Sequence, residues 1–165
     1  MKKGLVTFIF GTRPEAIKLA PVIKSFKESD KINTRIVLTG QHAKLVDDVL
    51  KLFHIVPDKS LNIMREKQEI SYITSSCLVG LNEEFNQNKP NLVIVQGDTS
   101  TAFSAALAAF YQKIKVAHVE AGLRTDDLLN PYPEELNRRL ISQIATIHFA
   151  PTSKAEKNLK NSNVI

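Results

Sequence analysis

Cysteine is almost absent from this chain: Cys77 is the only one among 165 residues. That excludes a disulfide within the chain and leaves no thiolate set for a structural zinc. Cys77 lies in an apolar helical stretch, so it reads as a small buried hydrophobe rather than a nucleophile. Long apolar runs are absent too, and nothing approaches a membrane span. The run after Met1-Lys2-Lys3 is short and is followed by a glycine and an arginine. It does not read as a signal peptide, and a cytoplasmic protein is expected. A basic run is the third absence. The 22 lysines and arginines outnumber the 17 acids and give a formal charge of +5, but they are scattered and not clustered with aromatics. Nucleic acid is therefore disfavoured as a partner, and a small phosphate-bearing anion suits the mild excess. No internal repeat, low-complexity tract or linker divides the chain.

What is present is an alternation. With 43% hydrophobic and 24% charged residues, the chain fits one globular domain with a full core, spanning residues 1–165. Leu5 to Phe10 is continuously apolar, as expected of a strand covered on both faces. Further strands are predicted at 35–38, 92–96, 116–120 and 147–150, with a short extended segment at 60–64. Helices are predicted at 16–29, 43–53, 70–87, 100–111, 134–144 and 153–159. Leu19, Ile23 and Phe26 make the apolar stripe of the first helix, where Pro21 should kink it or move its start. Leu45, Val49 and Leu52 make that of the second. The alanine-rich fourth helix should lie buried against the sheet. Strands alternating with helices predict an α/β fold, a Rossmann-like, doubly wound, mostly parallel sheet. Val164 and Ile165 read like the approach to another element, so the domain either stops there or is followed by a second.

In such sheets ligands bind beyond the carboxyl ends of the strands, so the residues just after each strand carry the information. The first is followed by Gly11-Thr12-Arg13-Pro14-Glu15, where glycine permits close backbone approach, a helix points its N-terminus at the same spot, and Arg13 suits a phosphate or carboxylate. The dinucleotide pattern is excluded, because its second and third glycines are missing. Thr39-Gly40-Gln41-His42 follows the second strand. Gly97-Asp98-Thr99-Ser100 follows the third, where Asp98 could serve only as a helix cap. Glu120-Ala121-Gly122-Leu123-Arg124 closes the fourth. Within that strand His118, among apolar neighbours, reads first as a core histidine and second as a ligand contact. A carboxylate ending a buried strand, as Glu120 does, needs a reason. Finally Asn130-Pro131-Tyr132-Pro133-Glu134-Glu135 opens a helix, and one of the two glutamates could merely favour its dipole. Asp98, Glu120 and at least one of Glu134 and Glu135 should converge on one sheet edge, with Arg13 and Arg124 nearby. Carboxylates sharing a cleft push their proton affinities apart, which makes an acid and a base from like residues. The histidines are too dispersed for zinc; the acids leave magnesium open.

Gly11-Thr12-Arg13-Pro14-Glu15-Ala16-Ile17-Lys18, Gly40-Gln41-His42, Gly97-Asp98-Thr99, His118-Val119-Glu120-Ala121-Gly122-Leu123-Arg124 and Pro133-Glu134-Glu135-Leu136-Asn137-Arg138 together resemble the non-hydrolysing UDP-N-acetylglucosamine 2-epimerases. The match is colinear over essentially the whole chain, and five motifs in order make it specific. The resemblance implies the N-terminal half of a two-domain GT-B architecture with the active site in the interdomain cleft. It implies interconversion of UDP-N-acetylglucosamine and UDP-N-acetylmannosamine by elimination and re-addition of UDP, with no metal and no redox cofactor. By similarity the catalytic residues are Asp98, Glu120 and Glu134, and Gly11, Arg13, His118 and Arg124 bind substrate. Gln41 and His42 match an allosteric UDP-N-acetylglucosamine site, although Lys44 and Lys67 stand where the family carries a glutamine and an arginine, which puts activation in question. A further catalytic histidine and most uridine contacts belong to the second domain, so these residues alone should turn over little. A homodimer is implied for the whole protein. Two other readings share the architecture: the acceptor domain of a GT-B glycosyltransferase and a non-catalytic nucleotide-sugar-binding domain.

Overall fold

A computed structural model describes residues 3–40, 43–65, 68–162 and 164, and the side chains of all of these except 43 and 44. Its apolar runs form one six-stranded sheet. β1 (Gly4–Phe10), β2 (Ile32–Leu38), β3 (Lys59–Ser60), β4 (Leu92–Gln96), β5 (Lys115–Val119) and β6 (Ile147–Phe149) lie in the order β3-β2-β1-β4-β5-β6. Every neighbouring pair is parallel. Between and after the strands come α1 (Arg13–Lys27), α2 (Ala43–Leu52), α3 (Ile70–Gln87), α4 (Ser100–Tyr111), α5 (Glu134–Ile144) and α6 (Ser153–Asn161). The expected Rossmann-like doubly wound sheet is what forms.

Both faces of the sheet are covered. Leu19, Ala20 and Ile23 of α1 and Val46, Val49 and Leu50 of α2 pack with Phe8, Phe10 and Ile36 on one side. Cys77, Leu81 and Phe85 of α3, the alanines of α4 and Ile141 of α5 pack with Ile9, Val37, Val93 and Val116 on the other. Strand residues alternate between these two cores, which is why the strands read as unbroken apolar runs. The thiol of Cys77 is fully buried, and burial pushes it up to about 12, as an inert core group requires. Among the described residues, no helix is long and apolar enough to cross a membrane.

Some local expectations are corrected. α1 starts at Arg13, three residues before the expected start, because Thr12 is extended and Pro14 sits in the first turn, where a missing amide is harmless. It runs unbroken through Pro21, an exposed position near the equally exposed Ile17, whose unpaired carbonyl can meet water. In α2 the core stripe is Val46, Val49 and Leu50, while Leu45 and Leu52 face outward. With apolar residues at 45, 46, 49, 50 and 52, helical periodicity admits either stripe, and docking on the sheet selects one. β3 is only two residues long; Asn62, at φ 51°, breaks the extended run.

Strand order reverses between β1 and β4. β1 leads through α1 to β2 on one side, and β4 leads through α4 to β5 on the other, so the turns after β1 and β4 diverge and leave a crevice. The candidate site lies there.

Candidate active site

The crevice is stapled from beneath by Glu15, which is fully buried in the first turn of α1. Its Oε2 accepts the amides of Gly11 at 2.9 Å and Thr12 at 2.7 Å, and its Oε1 accepts the Thr99 hydroxyl at 2.6 Å. One side chain thus joins the turn after β1 to the turn after β4. Burial raises its carboxyl above the usual range, although these hydrogen bonds favour the ionised form. Gly11 serves through its amide; the glycines with positive φ are Gly40, Gly97 and Gly122.

At the end of β4, Gly97 turns the chain at φ 73°, a conformation costly for a residue with a Cβ. Thr99, not Asp98, caps α4: its hydroxyl accepts the amide of Ala102 at 3.0 Å. Asp98 is therefore free for other work. Its Oδ2 lies 3.1 Å from Nη2 of Arg138, and its carbonyl accepts Nδ2 of Asn137 at 2.9 Å. Partial burial raises its proton affinity, Arg138 and Lys18 oppose that, and Glu134 and Glu120 reinforce it; the net direction is upward. Asp98 is thus under the influence of both other acids.

Glu120 follows β5 directly, and its own φ of 67° lies in the left-handed region. That conformation aims the carboxylate back over the sheet edge, where Oε2 meets Nζ of Lys18 at 2.5 Å and accepts a bond from Nε2 of Gln96. The two glutamates that open α5 have separate work. Glu135 is fully buried: it accepts the amide of Thr125 at 3.1 Å and pairs with Arg139 at 2.7 Å and Arg138 at 3.3 Å. It anchors the preceding loop, in which the peptide bonds before Pro131 and Pro133 are cis. Glu134 opens α5, its charge raises the carboxyl of Asp98, and among the described residues no hydrogen bond or ion pair engages its own carboxylate. Also among the described residues, no three carboxylates, histidines or cysteines are grouped so as to hold a metal ion.

The remaining expected residues are not all brought to this cluster. His118 has no exposed surface, and its Nε2 donates to the Gly97 carbonyl at 2.7 Å. Burial depresses the ring to about 4, so it is neutral at ordinary pH. It stands as a core histidine that supports the Gly97 turn, not as an open ligand contact. Among the described residues Arg124 forms no ion pair with a carboxylate; it donates to the Leu123 carbonyl at 2.8 Å and to the Ser142 hydroxyl at 3.0 Å. Arg13 opens α1 on the correct edge, exposed and unpaired with the carboxylates, beside a groove lined by Ile17, Leu45, Asp48, Leu52 and Phe53. Gln41, His42 and Lys67 lie outside the described residues, as does the side chain of Lys44. Lys18, Gln96, Asn137 and Arg138 also contact Glu120 or Asp98. Lys18 and Arg138 look like surface charges in sequence, although Arg138 stands three and four residues after two glutamates, the spacing of a helical ion pair.

A doubly wound parallel sheet with carboxylates and cations beside its switch point defines a Rossmann-like α/β domain. The family profile described as UDP-N-acetylglucosamine 2-epimerase matches residues 24–164, and the chain belongs to that family. A UDP-N-acetylglucosamine 2-epimerase from Bacillus subtilis (strain 168) is 52% identical over 163 residues, which cover 99% of this chain and 43% of the relative. The crystal structure of the Neisseria meningitidis UDP-GlcNAc 2-epimerase bound to UDP-GlcNAc superposes with a TM-score of 0.95 at 47% identity, over 98% of this chain and 43% of that one. The Methanocaldococcus jannaschii enzyme in complex with UDP-GlcNAc and UDP does so with a TM-score of 0.91 at 36% identity, over 98% and 44%. The chain thus spans less than half the length of these relatives. A lipopolysaccharide outer core galactosyltransferase, at a TM-score of 0.68 and 14% identity, shares the fold alone.

Proposed function

We propose that these residues are the N-terminal half of a cytoplasmic, dimeric UDP-N-acetylglucosamine 2-epimerase of GT-B architecture. The observation that carries this reading is the set of acids after β4, after β5 and at the start of α5, where Lys18 pairs with Glu120, Arg138 pairs with Asp98, and Glu120 and Glu134 both act on Asp98. The C2 proton of the sugar is weakly acidic, so a positioned carboxylate must take it as the C1–oxygen bond breaks. The electron pair of the C2–H bond becomes the new C1–C2 double bond, and UDP leaves with the pair of the broken bond, giving 2-acetamidoglucal. In the return step UDP adds back at C1, and a carboxylic acid delivers a proton to the opposite face of C2. A cluster of acids in unlike surroundings suits a reaction that needs both a base and an acid. Arg13, at the N-terminus of α1, is suited to the diphosphate. Gln41 and His42 match a second, regulatory UDP-N-acetylglucosamine site of the family, but Lys44 and Lys67, in place of a glutamine and an arginine, argue against activation through it. The second domain completes the uridine pocket, so residues 1–165 alone are expected to turn over little.

The test uses the complete reading-frame product, incubated with UDP-N-acetylglucosamine in heavy water and followed by proton NMR at C2. Loss of the C2 proton signal with appearance of the manno epimer is expected. Asp98→Asn, Glu120→Gln and Glu134→Gln should each slow the exchange by about 100-fold or more. A folded protein that leaves the C2 signal unchanged overturns the reading.

A further inference from the structure

α5 brings more to the crevice than Glu134. Arg138, one helical turn further on, is nearly buried, and its guanidinium reaches two ways. Nη2 lies 3.1 Å from Asp98 Oδ2. Nε lies 3.3 Å from Glu135 Oε2 and 3.3 Å from the Glu134 carbonyl oxygen. Glu135 is itself immobilised, since it is fully buried and also accepts the Thr125 amide and pairs with Arg139. The guanidinium is therefore fixed at its inner side and presents its outer side to Asp98. Asn137 adds a second hold, bonding the Asp98 carbonyl. One helix end thus grips Asp98 by both backbone and carboxylate, and the same helix presents Glu134.

We propose that Arg138, assisted by Asn137, is a positioning residue for Asp98: it fixes the direction of that carboxylate and supplies a cation in contact with it. The proposal rests on the epimerase reading and extends it to residues that would not touch the sugar. The planar fork suits this task, because separate nitrogens serve Glu135 and Asp98, whereas a lysine has one nitrogen for both. The charged groups facing Asp98 are Arg138 and Glu134 from α5, Glu120 beyond β5 and Lys18 from α1. Burial and the two glutamates favour protonated Asp98, and the two cations oppose them. Removing Arg138 removes the larger of the two opposing influences.

The test is the pH profile of C2 exchange in the complete protein, for the wild type, Arg138→Gln and Arg138→Lys. In R138Q the limb that Asp98 controls moves to higher pH by about one unit. That is the acidic limb where Asp98 is the base and the alkaline limb where it is the acid. The kcat falls about 100-fold with KM changed less than about threefold, as expected of a misplaced reacting group. In R138K the limb returns toward the wild-type pH while kcat recovers only in part. Folded R138Q with the wild-type limb and kcat overturns the positioning role, while wild-type exchange leaves the epimerase reading standing. Should R138Q fail to fold, a wild-type kcat in R138K overturns the inference instead. A wild-type protein without C2 exchange overturns the epimerase reading and this inference with it.

Discussion

Glu120 holds its carboxylate 2.5 Å from Lys18 by adopting φ 67°, a backbone conformation that favours glycine. Left-handed backbone costs a residue with a Cβ about 1 kcal/mol, and such outliers gather where function requires an unusual direction. Glu120→Gly and Glu120→Ala both remove the carboxylate, but only glycine relieves the backbone. The glycine variant should therefore be more stable than the alanine variant by about 1 kcal/mol in urea denaturation, with C2 exchange lost in both. Equal stabilities would show that the turn stores no strain. Gly122, two residues on, has no such latitude: a Cβ there would lie 2.3 Å from the Ala155 carbonyl oxygen. Two neighbouring left-handed positions thus have different causes. At Glu120 the side chain is wanted despite the backbone, and at Gly122 the close approach of α6 leaves no room for one. Sequence marks Glu120 as a carboxylate in need of a reason; its conformation is invisible there, because φ depends on what the following loop must reach.

At the scale of elements, β2 and α3 are tied by Arg35 and Glu84. Nε of Arg35 lies 2.6 Å from Oε1 of Glu84, whose side chain is 2% exposed, and Asn88 donates to the same oxygen at 3.1 Å. Such a pair contributes little relative to apolar packing, but removing one partner strands a buried charge. Arg35→Ala should therefore lower stability by about 3 kcal/mol, whereas the double variant Arg35→Met, Glu84→Leu should recover most of that loss, measured by chemical denaturation. A single variant within about 0.5 kcal/mol of wild type would mean that water reaches Glu84 and that the helix is not held by this pair. The same elements show how far sequence reading carries. β4, α4 and α5 have the expected boundaries because each has a strong local signal: a run of β-branched residues, an alanine face, or acids just after a proline. The stripe of α2 does not, because two apolar stripes of similar quality compete on one short helix. For the site, Glu134 and Glu135 are adjacent acids at a helix start, and only the burial of Glu135 separates an anchor from a candidate catalyst.

For the molecule as a whole, acid should weaken the fold through His118. Its ring is depressed from the ordinary histidine value to about 4 by burial. The unfolded chain therefore binds a proton that the folded one refuses, and this contribution to stability is complete above about pH 6.5 and is lost as pH falls toward 4. The raised carboxyls of Glu15 and Asp98 act with the opposite sign, favouring the fold where they are protonated. The histidine is isolated by comparison with His118→Gln. Between pH 7 and pH 4 the wild type should lose roughly 2–3 kcal/mol more than this variant in urea denaturation. Parallel losses would mean that the ring protonates within the fold.

Sequence by itself determined the class of fold, most of the elements and the sheet edge that carries Asp98, Glu120 and Glu134. Hydrophobic periodicity and turn residues are local, and ligand position in an open parallel sheet follows from strand ends. The fold decided what depends on neighbours distant in the chain. Thr99 binds Glu15 across the crevice. Lys18 and Arg138 come from opposite sides of the crevice to the carboxylates. Arg124 turns to α5, and His118 closes against Gly97. These assignments rest on burial and on contacts of a few ångströms between residues far apart in the chain, and such distances exist only once the sheet has brought its strand ends together.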